Sequence, residues 1–323
     1  MNLGTTAFSF TNEWLSRRYT LEQVLRRLAA LELGPAVELI GFQSWRDYPR
    51  LAPAEVAAFR SLVDELGLQP AALGAYVDLA RRPDRLLTNA EAVDFLAPQV
   101  ATAEALGFPL LRLHPGIPAA VLAEVAARTE LTLAVEVQGG QTPSDPLVAA
   151  VLELDLPNVA LALDFSVAMT SVPHRFVDTV RRLGMRRAEL DALVARWAAG
   201  ASTRDLFAEL ARSDAPAAAL DEARSGFVRF GRQEPGAWLP LAKHVAYVHA
   251  KFWELDDAGD DPTTRAAELF DVLREAGYDG TVASEWGGNA WSECDEVDAF
   301  ELVRRHLARC RALISEPAVE VRA

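Results

Sequence analysis

The sequence predicts an α/β fold, a (β/α)8 TIM barrel with a helical insertion between strands 6 and 7. Short apolar runs alternate with amphipathic segments along the whole chain, a pattern that requires parallel strands with helices outside the sheet. Eight such runs can be counted, and eight strands close a barrel. The length of 323 residues suits one barrel with an insertion, so we expect a single domain at 1–323.

The first half of the chain contains four strand–helix units. Thr20 and Gln23 form a capping-box pattern at the start of the first helix, and Gly34, Gly67 and Gly107 follow the ends of the first three helices. The predicted strands lie at 5–10, 36–40, 70–76 and 110–114. The predicted helices lie at 20–33, 53–66, 89–106 and 118–128.

The second half repeats the same unit but contains one long interruption. The predicted strands lie at 131–140, 159–166, 244–252 and 280–288, with helices at 146–152 and 294–313 and a frayed tail at 316–323. Asp164 and His249 are 85 positions apart, whereas a strand–helix unit takes roughly 30. The extra segment, 168–243, shows helical apolar spacing at 176–183, 187–198, 203–212 and 215–230. We expect this insertion to cover the barrel mouth as a lid or subunit contact; the alternative is that it only thickens the outer wall.

Composition and charge exclude several classes of partner. The net charge of −14 argues against nucleic acid or an anionic membrane as a ligand. No run reaches the roughly 18 apolar residues needed to cross a bilayer, and the start, MNLGTTAFSF, lacks the pattern of a signal peptide. We therefore expect a cytoplasmic protein. Cys294 and Cys310 lie on one predicted helix, where a bridge would join two points of the same element, so we expect reduced thiols.

Four consecutive apolar strands each carry one metal-ligating side chain near the carboxyl end. These residues are Glu136, Asp164, His249 and Glu285. A single acidic residue at a strand end is commonly a helix cap or the partner of an arginine, but packing does not require this series of four. Three carboxylates and one imidazole form a mostly oxygen site that suits Mn²⁺, Mg²⁺ or Co²⁺ better than a structural zinc. The sequence therefore predicts a divalent-metal site at the barrel mouth.

Other candidate residues lie at the same predicted rim. His114 ends the fourth strand, where it is a substrate contact, a proton carrier or a histidine bonded to a loop carbonyl. Lys251 follows His249 by two residues, so alternation places both on one face of the strand. Six aromatic residues lie at or just past strand ends, where they either wall a sugar pocket or belong to the core: Phe8, Phe10, Trp45, Tyr76, Trp253 and Trp286.

These residues, together with three local motifs, resemble the xylose-isomerase-like TIM-barrel superfamily of sugar isomerases and epimerases. The motifs are VHAKFWELDD, the AGYDG within EAGYDGTVASEWGG, and Val-Arg-Arg-His in the last helix. The long insertion after LDFS, the HAKF strand and the SEWGG strand are similar to the branch that contains the α subunits of C-glycoside deglycosidases. The resemblance implies a metal site, often occupied by Mn²⁺, that polarises a 3-oxo sugar while a base removes the C2 proton and the aglycone leaves. It also implies that Glu136, Asp164, His249 and Glu285 are the metal ligands, and that a small β subunit is a partner.

The chain departs from this family pattern at three places. Gln138 stands where many relatives have a histidine base, and Val167 stands where sugar epimerases usually have a histidine. Strand eight reads Ser284-Glu-Trp-Gly-Gly288 instead of Ser-Glu-Tyr-Glu-Gly. Because an amide cannot act as a base, proton transfer falls to His114, to Lys251, or to a carboxylate among the metal ligands, Glu136 or Glu285. Gln138, Trp286 and Phe8 are then expected to contact substrate.

The expected function is enolisation of an oxo-sugar by a divalent-metal enzyme, with Mn²⁺ as the first choice of ion and Mg²⁺ or Co²⁺ as alternatives. One form of this chemistry is deglycosidase-like elimination of an aglycone from a 3-oxo-glycoside. The alternative is isomerisation or epimerisation of a keto sugar. A hypothesis of another class is a catalytically silent barrel that binds metal and sugar or serves as a scaffold subunit. In each case we expect a small sugar or glycoside as ligand and a homo- or hetero-oligomer.

Overall fold

A computed structural model describes residues 1–293 and 295–315, in which eight parallel strands form a closed barrel. The strands follow one another in chain order, and β1 pairs with both β2 and β8. This arrangement confirms the (β/α)8 barrel that the sequence predicts. The strands are Asn2–Thr6 (β1), Ala36–Ile40 (β2), Gln69–Ala75 (β3), Leu110–Leu113 (β4), Thr132–Val137 (β5), Val159–Asp164 (β6), Val245–Phe252 (β7) and Thr281–Trp286 (β8).

Helices connect the strands on the outside of the barrel. In the described residues they are Thr11–Leu15 (α1), Leu21–Ala30 (α2), Gly41–Ser44 (α3), Pro53–Glu65 (α4), Asn89–Leu106 (α5), Ala119–Ala126 (α6), Pro146–Leu152 (α7), His174–Arg182 (α8), Arg187–Ala198 (α9), Thr203–Leu210 (α10), Ala217–Arg229 (α11), Ala266–Glu275 (α12) and Ala299–Ser315 (α13). Short 3-10 helices lie at Ala7–Phe10, Phe165–Val167, Pro235–His244 and Gly288–Trp291. The capping box predicted for α2 is present, since Gln23 N donates to Thr20 Oγ1 and Thr20 N donates to Gln23 Oε1.

The prediction for the first strand was wrong. A strand at 5–10 was expected, but β1 ends at Thr6 and a 3-10 helix begins at Ala7. The Thr6 hydroxyl accepts a hydrogen bond from the Phe8 amide at 3.2 Å, which caps this turn. The apolar residues of AFSF therefore belong to a turn above the barrel, where Phe8 is directed toward the mouth.

A layer of four alanines, one leucine and one tyrosine fills the lower part of the barrel. It consists of Ala72, Leu110, Ala134, Ala162, Tyr247 and Ala283, which form one buried cluster contributed by β3 to β8. Alternate residues of a strand point to the same face, so the next inward positions lie two residues further along each strand. On β4 to β8 those positions hold the polar side chains described below, and on β3 the position is Gly74.

The helices of the insertion, α8 to α11, pack around their own apolar cluster, centred on Phe176, Phe227 and Phe230. This cluster reaches the ends of the barrel strands, because the Phe230 ring meets Trp253 edge-on at 5.4 Å and Trp253 stacks on Trp291 at 5.2 Å. The insertion is thereby fixed against the segments that follow β7 and β8.

Main-chain hydrogen bonds hold the two ends of the insertion side by side. Met169 N donates to Gly231 O at 2.9 Å, and Gly231 N donates to Ser166 O at 2.8 Å. Ala168 and Arg232 form an antiparallel bridge at the same place. The chain therefore leaves and re-enters the barrel next to the end of β6.

Two expectations from composition can be compared with the fold. Within residues 1–293 and 295–315, no helix combines the length and apolar character needed to cross a membrane. Cys310 lies buried on α13 as a free thiol. Cys294 and the tail at 316–323 lie outside the described residues.

Candidate metal centre

The last four strands bring the predicted ligand residues together at the carboxyl end of the barrel. Glu136, Asp164, His249 and Glu285 are all buried, and each offers a ligand atom within 4.8 Å of the others. Asp164 and His249 lie directly opposite each other in the β6–β7 pair. We refer to these four residues as the metal cluster, because they could hold one metal ion.

The spacing within the metal cluster is compatible with a coordination shell. His249 Nδ1 lies 3.0 Å from Glu136 Oε1, 2.9 Å from Glu285 Oε2 and 3.7 Å from Asp164 Oδ2. Two ligand atoms about 2.1 Å from an octahedral cation lie roughly 3.0 Å apart when they subtend a right angle. The atoms are thus placed to converge on one cation.

A fifth carboxyl-end residue, Glu38 of β2, orients the histidine. The fully buried Glu38 carboxylate accepts a hydrogen bond from His249 Nε2, with Oε2 at 2.5 Å. This bond keeps a proton on Nε2, so Nδ1, which faces the carboxylates of the metal cluster, is the nitrogen that can bind a metal ion in exchange for its own proton.

Arg112 of β4 links the same carboxylate to the metal cluster. Its Nε donates to Glu38 Oε1 at 2.6 Å, and its Nη1 donates to Glu136 Oε2 at 3.0 Å. Gly74 makes room for this guanidinium, since a Cβ at that position would lie 2.7 Å from Arg112 Nη2. The Arg112 guanidinium therefore holds the carboxylates of Glu38 and Glu136 in fixed orientations.

The buried side chains carry an excess of negative charge that a dication would balance. Glu38, Glu136, Asp164 and Glu285 carry four negative charges, whereas Arg112 and Lys251 carry two positive ones when His249 is neutral. Lys251 Nζ contacts Glu285 Oε1 and lies 3.6 Å from Asp164 Oδ2. Among the described residues, Asp164 Oδ2 is buried without a hydrogen-bond partner, as expected for an atom reserved for an ion. The donor set, its charge and this oxygen all fit a divalent cation.

The electrostatic field of the site keeps the carboxylates ionised. Burial alone would raise the pKa of Glu136, but Arg112 and His249 outweigh it and hold the pKa at about 2. Burial also opposes ionisation of Glu285, and His249 with Lys251 lowers its pKa to about 2. The surrounding carboxylates raise the pKa of His249 against the effect of burial. A proton on Nδ1 and a cation therefore compete for the same place.

A cavity of about 860 Å³ opens above the metal cluster. Four strands and the turn after β1 contribute predicted site residues to its wall: Phe8, His114, Glu136, Gln138, Lys251 and Glu285. Asp164 and His249 lie on its floor, in contact with these residues. The insertion closes one side, where α10 and α11 contribute Thr203, Phe207, Val228 and Arg229.

His114 lies in this cavity as a neutral base. Its ring packs against Tyr76 at an interplanar angle of 34°, with 4.1 Å between ring centroids. Burial lowers the pKa of His114 to about 4, and its Nε2 is buried without a hydrogen-bond partner in the described part of the chain. At neutral pH the imidazole can accept a proton from a group in the cavity.

The aromatic candidates divide into two groups. Phe8, Tyr76 and Trp253 line the cavity, and Lys251 Nζ lies 5.1 Å from the Phe8 ring centroid and 5.4 Å from that of Trp253. Phe10, Trp45 and Trp286 belong to the apolar core.

The prediction that Trp286 contacts substrate is not supported by its position. Trp286 does not line the cavity, and its Nε1 donates to the Trp253 carbonyl at 3.2 Å. Strand alternation is the physical reason, because Glu285 faces the barrel interior and its neighbour must face the helices.

Glu38 and Arg112 belong to the site but are not among the site residues predicted from the sequence. Glu38 is an acidic residue within AVELI, a five-residue strand buried along its whole length, and that contrast was the available signal. Arg112 lies two residues before His114, so the alternation that directs His114 toward the mouth also places Arg112 inside the barrel.

Known proteins similar to this chain are found by sequence and by structure. No protein-family model matches it. It is 32% identical over 340 aligned positions to the 3'-dehydrocarminate deglycosidase alpha subunit of a Microbacterium species, covering 98% of this chain and 97% of that relative. It is 33% identical over 322 positions to a C-glycoside deglycosidase alpha subunit of Arthrobacter globiformis, covering 93% of this chain and 87% of the relative.

The barrel is also similar to solved structures of much lower sequence identity. The crystal structure of D-psicose 3-epimerase in the presence of D-fructose matches with a TM-score of 0.60 at 14% identity, covering 98% of this chain and 100% of the epimerase. At that identity the likeness concerns the fold alone.

Proposed function

Because this chain belongs to the family of C-glycoside deglycosidase alpha subunits, we propose that it is a divalent-metal enzyme that removes the aglycone from a 3-oxo-C-glycoside. The observation that carries the proposal is the metal cluster at the floor of a cavity that also holds His114 and Lys251. A barrel that only filled its core would not need four carboxylates, a histidine and two cations buried together.

In this proposal Glu136, Asp164, Glu285 and His249 Nδ1 hold the ion, and Glu38 and Arg112 orient these ligands. Mn²⁺ is our first choice, and Mg²⁺ or Co²⁺ would suit the same oxygen-rich donor set. When bound, the ion supplies Lewis-acid polarisation of the substrate carbonyl.

The side chains of this protein then carry the proton transfer. His114 accepts the proton from the carbon next to the carbonyl, and that electron pair forms a double bond to the carbon that bears the aglycone. The bond to the aglycone breaks, and the aglycone leaves with the bonding pair and takes up the proton that His114 accepted, which returns His114 to its neutral form. Lys251 donates a hydrogen bond to the oxygen on which negative charge develops.

The remaining cavity residues position the sugar. Phe8 presents an aromatic face beside Lys251, which suits the apolar face of a sugar ring. Gln138 lines the cavity two residues after Glu136, and its side-chain amide can donate to and accept from sugar hydroxyls. We assign Gln138 and Phe8 to substrate binding and remove Trp286 from that set.

The relatives are named alpha subunits, and on that ground we propose a second, smaller subunit as partner. Co-expression of a candidate β subunit followed by gel filtration would test this assembly. Elution of the two chains as separate species would count against it.

The direct test is to incubate the purified protein, with and without a β subunit, with a 3-oxo-C-glycoside in the presence of Mn²⁺ or EDTA. We expect release of the free aglycone only with the metal, and no release from the parent glycoside that lacks the oxo group. Binding of metal and sugar without turnover under any condition would favour the scaffold hypothesis instead.

A keto-sugar isomerase or epimerase is the second candidate function. The observation in its favour is that Glu136 and Glu285 approach His249 from β5 and β8, three strands apart around the barrel. Two carboxylates placed in this way can move a proton on either face of a carbon. Solvent deuterium entering a keto sugar without loss of any group would identify this activity.

A further inference from the structure

The outer part of the cavity differs in character from its floor. Leu147, Phe207 and Val228 line it, and Leu147 and Val228 are 47% and 53% exposed. The floor contains the charged residues of the metal centre. A ligand that fills the cavity therefore has a polar end on the floor and an apolar end against the insertion.

Arg229, the last residue of α11, lines this outer part without a partner. Among the described residues no carboxylate or carbonyl forms an ion pair or hydrogen bond with its guanidinium. The side chain is half-buried, and burial lowers its pKa while the charge of Glu222 opposes that change. The carboxylate of Glu222 is engaged elsewhere, because its Oε1 accepts a hydrogen bond from Trp291 Nε1 at 2.7 Å.

The other charged residues of the outer wall each have a partner within the protein. Arg224 Nη1 lies 3.0 Å from Asp221 Oδ1, one turn earlier on α11. Asp145 caps α7, where its Oδ1 accepts from Leu147 N at 2.9 Å. Among the described residues of this wall, Arg229 is thus the cation that no ion pair holds, and its guanidinium donors can serve a ligand.

The backbone of Arg229 is fixed relative to the metal cluster. A Cβ on Gly139 would collide with the Val228 carbonyl oxygen and would lie 3.2 Å from the Arg229 Cα. Gly139 has a φ of 55° and follows Glu136 by three residues. Its amide donates to Ser166 Oγ at 3.0 Å, which holds the turn in place. The end of α11 therefore rests on the turn that leaves the metal cluster.

We propose that Arg229 recognises an acidic group, a carboxylate or a phenolate, on an apolar aglycone, so that the preferred substrates are 3-oxo-glycosides with anionic aglycones. This inference rests on the proposed function for the sugar end of the cavity. Leu147, Phe207 and Val228 cover the apolar body of the aglycone, and the guanidinium forms a charge-assisted hydrogen bond with its acidic substituent.

The test uses two 3-oxo-C-glycosides that differ only in a carboxylate on the aglycone and its methyl amide. In Arg229→Gln we expect kcat/KM for the acid to fall roughly 10- to 100-fold, mostly through KM, and kcat/KM for the amide to stay within about twofold. Arg224→Gln is the matched control on the same helix and should leave the acid-to-amide ratio unchanged. Equal losses for acid and amide, or no loss for either, would overturn the proposal.

A binding measurement separates this inference from the proposed reaction. The free acidic aglycone and its amide would be titrated into the metal-loaded protein and into Arg229→Gln, with affinity read by calorimetry. Tighter binding of the acid that disappears in Arg229→Gln supports the role of Arg229, even if no glycoside is cleaved. Equal affinities of the wild-type protein for acid and amide would refute it, whatever the catalytic result.

Discussion

Glu38 Oε2 lies 2.5 Å from His249 Nε2, a contact between the second and seventh strands across the interior of the barrel. The bond keeps a proton on Nε2, so Nδ1 is the imidazole nitrogen that a metal ion can bind in exchange for a proton. Arg112 holds the second oxygen of the same carboxylate at 2.6 Å, so Glu38 cannot turn away from the histidine without losing an ion pair.

We expect Glu38→Gln to lower the affinity for Mn²⁺ by about 10- to 100-fold, the usual scale for losing a group that orients a metal ligand. The amide retains the volume of the carboxylate but weakens the hold on His249 and Arg112. Competitive titration against a fluorescent chelator measures the affinity. Glu104→Gln, whose carboxylate accepts from Thr129 outside the barrel, serves as control. An unchanged affinity in Glu38→Gln would show that Glu38 does not orient the ligand.

Asp164→Ala should abolish metal binding and activity together. Asp164 is fully buried between His249 and Lys251, and its loss removes one of the three carboxylates of the metal cluster. Metal content after dialysis, measured by elemental analysis, is the readout, with a thermal melt to confirm that the variant is folded. Asp145→Asn, a second carboxylate of the cavity wall, should retain the ion. Full metal content in folded Asp164→Ala would mean that Asp164 is structural.

Lys251→Met should lower kcat by about 10²- to 10³-fold while the protein still binds metal. The variant removes the donor proposed for the developing oxyanion, but it leaves all four residues of the metal cluster in place. Removing this cation also makes the floor more negative, so the metal affinity should not fall. Lys243→Met tests the other lysine of the chain, which is exposed. A wild-type kcat in Lys251→Met would exclude the proposed role.

His114→Ala should lower kcat by roughly 10²-fold or more, the usual scale for losing a general base. Because burial lowers the pKa of His114 to about 4, the neutral form prevails from pH 7 down to about 5. We therefore expect kcat to be flat over that range and to fall below about pH 4, with metal content measured at each pH. A fall in kcat with an apparent pKa near 6.5 would indicate that a solvated histidine or another group is the base.

Gln138→His would restore an imidazole at the position where relatives carry a histidine base. Gln138 lines the cavity two residues beyond Glu136, so a histidine there can reach the same substrate. We expect activity on 3-oxo-C-glycosides to rise, and the double variant with His114→Ala to retain part of it. Should the single variant be inert on every 3-oxo-glycoside and His114→Ala be harmless, the isomerase or epimerase would become the leading candidate.

Strand positions and the metal cluster could be predicted because both depend on local pattern. An apolar run that ends in a carboxylate or histidine indicates a buried strand with a functional end, and β5 to β8 all have this form. The turn after β1 was mistaken for strand because AFSF is as apolar as a strand, and the cap that Thr6 provides is a matter of geometry.

The rest of the centre depends on how the strands are staggered around the barrel. Strands in a closed barrel are tilted and shifted in register, so the distance of a residue from the end of its strand does not give its height in the barrel. Glu38 is the third residue of β2, yet it meets His249, the fifth residue of β7. Sequence pattern could indicate that Glu38 is unusual, but only the closed barrel brings it to the histidine.

The hydrogen bonds that join Met169 to Gly231, and Gly231 to Ser166, make the insertion a closed loop whose ends stay together whatever lies between them. A longer or shorter chain between fixed ends changes the closure entropy only slowly. The four helices therefore form a cassette that recombination could exchange between relatives without disturbing the strands. A chimera that receives residues 170–230 from a relative would inherit the donor's outer cavity wall and its choice of aglycone, while retaining its own ion-binding floor.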